Sequence, residues 1–254
     1  CPSCQSGAQN TCPNQRLPGF VEPGAFAEYV AVPFDHNLSL LPEGLSATVA
    51  AGLGCRVTTA WHGLTGRAGL QTGEWLAVHG TGGVGLSALI LGQALGARVI
   101  CVDVVPEKLE HAKSLGAEHV IDARDGDVGA RIKDLTGGGA QVSMEALGIA
   151  ATVNSSLECL APLGRHIQLG LPTGHTATME VNMAAVYQGN LALYASRGMP
   201  SWRYPSLLDL ITRGAVDMSP LIAREIGLSE TSRELAAFNG PTSPGVAVIT
   251  DFTA

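Results

Sequence analysis

One stretch constrains this chain more than any other: "EWLAVHGTGGVGLSALILGQALGARVICVDV", residues 74–104. It begins with an apolar run that ends on Gly80, and Gly82 and Gly85 then complete a G-x-G-x-x-G spacing. Behind the glycines, Val84, Ala88, Leu91 and Leu95 recur at helical spacing, and residues 98–104 are rich in β-branched side chains. Strand, glycine turn, helix and strand make a βαβ unit, which closes as a right-handed crossover between parallel strands. Parallel strands are covered on both faces, so the rest of the chain has to supply more of the same.

It does. "PEKLEHAKSLGA" (106–117) opens on Pro106, suited to a first helical turn, and carries Gly116 where a C-terminal cap belongs. Then follow "HVID" (119–122), a polar helical stretch to Thr136, "AQVSMEAL" (140–147), a helix around 151–160, "RHIQLG" (165–170) and "LALYAS" (191–196). Six strands alternating with helices predict an α/β fold with a doubly wound parallel Rossmann sheet. The flanks read differently. "GAFAEYVAVP" (24–33) has short β-like alternation, and "FDHNLSLLPEGLS" (34–46) reads as loop and turn. Towards the end come a helix, "YPSLLDLITRG" (204–214), and a strand-like "GVAVITDF" (245–252). The expected division is therefore 57–196 for the sheet, with 1–56 and 197–254 as two pieces of a flanking domain.

The glycine spacing carries a mechanism. Gly80 permits a tight turn, Gly82 lets backbone approach a pyrophosphate, and Gly85 lets helix and strand pack closely. The helix start then offers N–H groups and a positive dipole end to phosphates. Asp103, 23 residues after Gly80, ends the second strand, where a carboxylate can accept hydrogen bonds from the adenosine ribose. A 2′-phosphate there meets like charge, so NAD is expected over NADP. A glycine turn without ligand is the bland alternative. On spacing alone, Lys108 is an ordinary solvated lysine.

Composition excludes other classes. Fifteen basic against 22 acidic residues leave a net charge of −7 with no basic run, which argues against nucleic acid as a partner. The longest apolar run, 84–97, is too short to span a bilayer and contains Gln93. No secretory signal pattern is visible, and Cys101 in a β-like run and Cys159 in a helical one suit a reducing, cytoplasmic setting.

The other cysteines are less plain. "CPSCQSGAQNTC" places Cys1, Cys4 and Cys12 in a glycine- and proline-containing loop, three thiols where a structural zinc takes four ligands. A redox pair or an exposed disulfide is the alternative. Cys55 alone reads as a buried core thiol, and His62 and His79 as core or surface histidines. Arg197, Trp202 and Arg203 could border a cleft, make a subunit contact or cap the next helix.

Together these residues resemble the medium-chain, zinc-dependent alcohol dehydrogenase family over essentially the whole chain. Cys1, Cys4 and Cys12 resemble the last three cysteines of its structural zinc lobe, spaced C-x2-C-x2-C-x7-C. "GAFAEYV" resembles the strand after the lobe, and "GCRVTTAWHGL" (54–64) the segment that brings Cys55 to the catalytic zinc. "GTGGVG" (Gly80, Gly82, Gly83, Val84, Gly85), Asp103 and Lys108 match cofactor-binding positions in order. Leu147 in "EALG" (145–148), and Leu169, Gly170 and Leu171 in "QLGLP" (168–172), match segments beside the nicotinamide.

The resemblance implies a Rossmann domain beside an incomplete, β-rich, GroES-like catalytic domain. It implies NAD and zinc as cofactors, an alcohol, aldehyde or ketone as substrate, and a homo-oligomer, dimer or tetramer. Zinc would act as a Lewis acid on the alcohol oxygen, with hydride passing to a nicotinamide flanked by Thr59 and Val84. The family's first lobe cysteine would fall before Cys1, and its Gly-His-Glu segment has no counterpart here. The chain is thus expected to begin inside the motif, to associate through exposed apolar surface, and to bind NAD without completing hydride chemistry. Two rivals stay open: a non-catalytic NAD-binding module, and a zinc-free quinone or enoyl reductase.

Overall fold

Six strands form one wholly parallel sheet in the order β3-β2-β1-β4-β5-β6. They are β1 (Trp75–His79), β2 (Arg98–Asp103), β3 (His119–Asp122), β4 (Ala140–Glu145), β5 (Leu160–Gln168) and β6 (Ala192–Ala195). The computed structural model describes residues 1–237 and 245–253. It divides into two units, Thr59–Ser196, which holds this sheet, and Cys1–Thr58 with Arg197–Ala254.

β1 is buried at every residue, as a central parallel strand must be. The helix Gly83–Ala94 is apolar almost all round, and Leu86, Ala88, Leu89 and Leu91 are sealed from solvent. Each fully buried leucine contributes about 1.5–3 kcal/mol. Helix ends follow their sequence signals. Pro106 opens the helix Pro106–Ser114, and the Asp127 carboxylate accepts the Ala130 amide at 2.9 Å to cap Val128–Thr136. At the other rim of the sheet, Arg98 stacks over the Trp75 ring at 3.8 Å and pairs with Glu118.

The sheet also buries two histidines. His79, in β1, is pushed down to about 3 by burial and then by His166; burial also lowers His166, in β5. The unfolded chain binds protons at these rings first, so stability is complete above pH ~6.5 and falls as pH drops. For His79 the slope approaches about 1.4 kcal/mol per pH unit once pH is well below 6.5, and His166 adds to it in the same direction. Urea midpoints measured from pH 6.5 to 5 are expected to decline on that slope, and less steeply in His79→Gln. A flat midpoint in the parent counts against neutral buried histidines.

The second unit holds the short helices Pro2–Gln5, Ala47–Gly52, Tyr204–Thr212 and Thr231–Ala237 and a parallel pair, β7 (Ile222–Gly227) and β8 (Val246–Asp251). The helix Cys55–Trp61 carries the division between units and continues as a π-helix, His62–Ala68. "GAFAEYVAVP" forms no strand. Its alternation has no ladder partner among the described residues, and Phe26 and Tyr29 lie exposed. Arg197 and Trp202 pack against the cysteine loop. The Trp202 indole donates to the Gly7 carbonyl at 2.7 Å, and Arg197 donates to the Asn10 carbonyl and to Gln15 Oε1.

Candidate functional site

Register brings the ends of five strands to one edge of the sheet. His79 pairs with Val102 and with Glu145, Asp103 pairs with Asp122, and Glu145 pairs with Gln168. The order of strands reverses between β1 and β4, and open α/β sheets bind ligands in the crevice outside the strand ends at that point.

The three spaced glycines serve three purposes there. Gly80 adopts φ +93°, and a Cβ on it would come 2.4 Å from Leu147 Cδ1. Gly82 caps the helix Gly83–Ala94 without a side-chain bond, and a Cβ there meets nothing within 4 Å. Gly85 is the opposite case, since its Cβ would lie 1.8 Å from the Gly80 carbonyl oxygen. Gly83, Val84 and Gly85 supply the first amides of the helix, which have no acceptor within it.

Asp103 is half-buried and fully engaged. Oδ2 accepts the N–H and the hydroxyl of Thr81, both at 2.8 Å, while Oδ1 accepts the amides of Val104 at 2.8 Å and Val105 at 3.1 Å. Burial alone would raise this carboxyl; the Thr81, Val104 and Val105 bonds outweigh it and hold it below the usual range. Of these four donors, the Thr81 hydroxyl is the one that can rotate away. Lys108 is half-buried in the first turn of the helix Pro106–Ser114.

Beyond β4 and β5, Leu147 and Leu171 project 47% and 71% exposed. Leu169 is half-buried and Gly170 buried, with no room for a Cβ against Gly148 N at 2.2 Å. Under them lies Glu145, which sequence reasoning passed over, along with its partner Gln168. The available signal was an acidic residue closing an otherwise apolar strand.

Thr59 is buried in the helix Cys55–Trp61, its carbonyl 3.5 Å from Ser196 Oγ. Cys55 opens that helix and is exposed, which removes the core-thiol alternative. His79 sits in the sheet core, Nε2 3.6 Å from Cys159 Sγ. Burial drives the Cys101 and Cys159 thiols up to about 12, so both are inert.

Among the described residues, Cys1, Cys4 and Cys12 are the one group of three or more ligand-bearing side chains. Cys1 Sγ lies 3.5 Å from Cys4 Sγ and 3.6 Å from Cys12 Sγ, and none is in a disulfide. Sulfurs at the corners of a tetrahedron with Zn–S ≈ 2.3 Å stand about 3.8 Å apart, so this triangle fits a zinc. Cys55 joins no such group, and the described residues do not form a three-ligand catalytic metal site around it.

Known proteins bear on this arrangement. The profile of the zinc-binding dehydrogenase family matches residues 83–213. The sorbitol dehydrogenase of Bacillus subtilis (strain 168) is 31% identical over 234 residues, 91% of this chain and 65% of its own length. The alcohol dehydrogenase of Thermus sp. ATN1 superposes with a TM-score of 0.87 at 30% identity, covering 94% of this chain and 70% of that one. An NAD-dependent alcohol dehydrogenase gives 0.87 at 26% identity, covering 98% and 71%. The chain spans between half and two thirds of the length of the first curated relatives it matches. With the family profile covering more than half of its residues, the chain belongs to the zinc-binding dehydrogenase family, among the medium-chain zinc-dependent alcohol dehydrogenases it resembles.

Proposed function

We propose that this chain serves an oxidoreductase that moves a hydride from an alcohol to NAD+, leaving an aldehyde or ketone and a proton, or from NADH back to that carbonyl. The observation that carries this reading is the single sheet edge shared by the turn 80–85, the Asp103 anion and the exposed Leu147 and Leu171. When bound, NAD supplies the two-electron acceptor. The chain's own residues bind and orient it. Amides of 83–85 meet the pyrophosphate charge, and the open face of Gly82 lets it come close. Asp103 accepts a ribose hydroxyl and repels a 2′-phosphate. Leu147 and Leu171 give the remaining half an apolar surface that keeps water away.

Zinc in this reading is structural, held by Cys1, Cys4 and Cys12, where it ties the loop together. Cys55 is the one catalytic-zinc ligand in this reading, and the described residues around it do not complete such a site. The reading further includes a cytoplasmic homo-oligomer. No helix among the described residues is long and apolar enough to cross a membrane.

Fluorescence titration of the full chain with NADH and NADPH tests the cofactor assignment. NADH is expected to bind at least tenfold tighter, about 1.4 kcal/mol. Asp103→Asn should bring the two within about threefold, chiefly by weakening NADH and relieving the repulsion of NADPH. Equal affinities in the parent sink the preference for NAD, and no binding of either sinks the dinucleotide reading. Alcohol-dependent NADH formation by the same preparation then reports whether this chain turns over.

A further inference from the structure

Glu145 ends β4 with no solvent exposure, and among the described residues no lysine or arginine pairs with it. A carboxylate in such a place persists only where donors replace its water. They do so here. Oε1 accepts the Leu147 amide at 2.8 Å, the Gly148 amide at 2.9 Å and the Thr152 hydroxyl at 2.6 Å. Oε2 accepts the Gly148 amide at 2.9 Å and the Gln168 side-chain amide. The Glu145 backbone carbonyl, in turn, accepts the amides of Leu169 and Gly170, both at 2.9 Å. One residue therefore holds the loop after β4 by its side chain and the loop after β5 by its backbone.

The next residues in the core fix which way this network runs. Gln168 Nε2 donates to Gly170 O at 2.8 Å as well as to Glu145, so Gln168 Oε1 is the atom 3.3 Å from His166 Nε2. That makes Nε2 the protonated ring nitrogen and leaves Nδ1 to accept the Ser156 hydroxyl at 3.0 Å. Ser156, His166 and Gln168 then donate in one direction, each to the next, and the series ends on the Glu145 carboxylate. The steric fit is closed as well: a Cβ on Gly170 would lie 2.5 Å from Glu145 Oε2.

Sheet order says what the two loops serve. If the pyrophosphate sits at the β1 turn and one ribose at Asp103 on the β2 side, the other nucleoside crosses to the β4 and β5 side. There the exposed Leu147 and Leu171 flank the bonds just described. We propose that Glu145 is a positioning residue for the dinucleotide: it locks residues 146–148 to residues 168–171, so that Leu147 and Leu171 form a fixed shelf for the nicotinamide half. The adenosine and pyrophosphate half is held separately by the turn 80–85 and Asp103. This inference rests on the dinucleotide reading above.

The test compares NADH with ADP-ribose, which lacks the nicotinamide, on the full chain and on Glu145→Gln. The glutamine puts an NH2 group against the Leu147 or Gly148 amide, so the loops must part. ADP-ribose affinity is expected to change by less than about threefold, while NADH weakens about tenfold or more and the bound nicotinamide emission moves towards that of free NADH. Gln168→Met, which removes one donor, shifts the same readouts less far. If Glu145→Gln fails to fold, Thr152→Val carries the comparison, since it removes only the hydroxyl on Oε1. Equal weakening of both ligands, or weakening of neither, overturns the positioning role while the dinucleotide reading stands. A parent chain that binds neither ligand overturns the dinucleotide reading, and this inference with it.

Discussion

Gly85→Ala is expected to destabilise the sheet-bearing unit by about 3 kcal/mol or more, whereas Gly82→Ala, three positions earlier, leaves its stability unchanged and abolishes tight dinucleotide binding. The two glycines share a motif but not a reason. A Cβ on Gly85 would stand 1.8 Å from the Gly80 carbonyl oxygen and 3.2 Å from Val78 Cγ1. The first of these is backbone at the end of β1, the central strand, so neither helix nor strand can yield without breaking the sheet. Overpacking of an ordinary core costs about 1–3 kcal/mol, and a clash with immovable backbone belongs at or above that ceiling. Against a total stability of roughly 5–15 kcal/mol, such a loss is a large fraction of the whole and lowers the melting midpoint by several degrees. Gly82 has φ −74° and ψ −168°, open to any residue, and free space around its Cβ. Its alanine variant should melt within about 0.5 kcal/mol of the parent. The added methyl then occupies the approach a pyrophosphate needs, and NADH affinity should fall at least tenfold. Circular dichroism melts and calorimetric NADH titrations on both variants decide the matter. Parent-like NADH affinity in Gly82→Ala would mean that the free space serves no phosphate.

The sheet was legible because its signals are local. "HVID" and "AQVSME" are short runs of strand-forming residues bounded by turns, and β3 and β4 occupy His119–Asp122 and Ala140–Glu145. The same rule misread "GAFAEYVAVP", where period-2 alternation exists without a partner strand, so Tyr29 stays 90% exposed. It also missed β7, whose "IAREIG" alternates poorly and pairs in parallel with the next strand, β8. Glu145 illustrates the limit best. Its place at the end of a strand is a sequence fact, but its burial depends on Gln168, which register alone sets opposite it. The cysteine loop is similar. Spacing raises the question of a metal, yet the loop's anchors, Trp202 and Arg197, come from the far end of the chain.

That loop carries the last expectation: about one zinc per chain at saturation, lost in Cys4→Ser and in Cys12→Ser. Three thiol sulfurs within 4.8 Å of one another already outline one face of a tetrahedron, and the exposure of Cys1 leaves the fourth position open to water or another ligand. Without a metal the thiols hydrogen-bond to one another, and the bond with Cys12 raises Cys4. A zinc converts that weak contact into bonds that close the loop. At free zinc about 1,000 times the dissociation constant, the folded unit gains about 4 kcal/mol. Chelation should therefore lower the midpoint of this unit, and the change should be visible in Trp202, which is 58% exposed and hydrogen-bonded to Gly7 of the loop. Trp61 and Trp75 are buried and belong to the other unit, so they provide an internal control. Elemental analysis giving no zinc at saturation removes the structural metal. Two zincs place a second site elsewhere, with Cys55 the first residue to substitute. One zinc that survives Cys4→Ser shows that the thiol triangle is not what holds it.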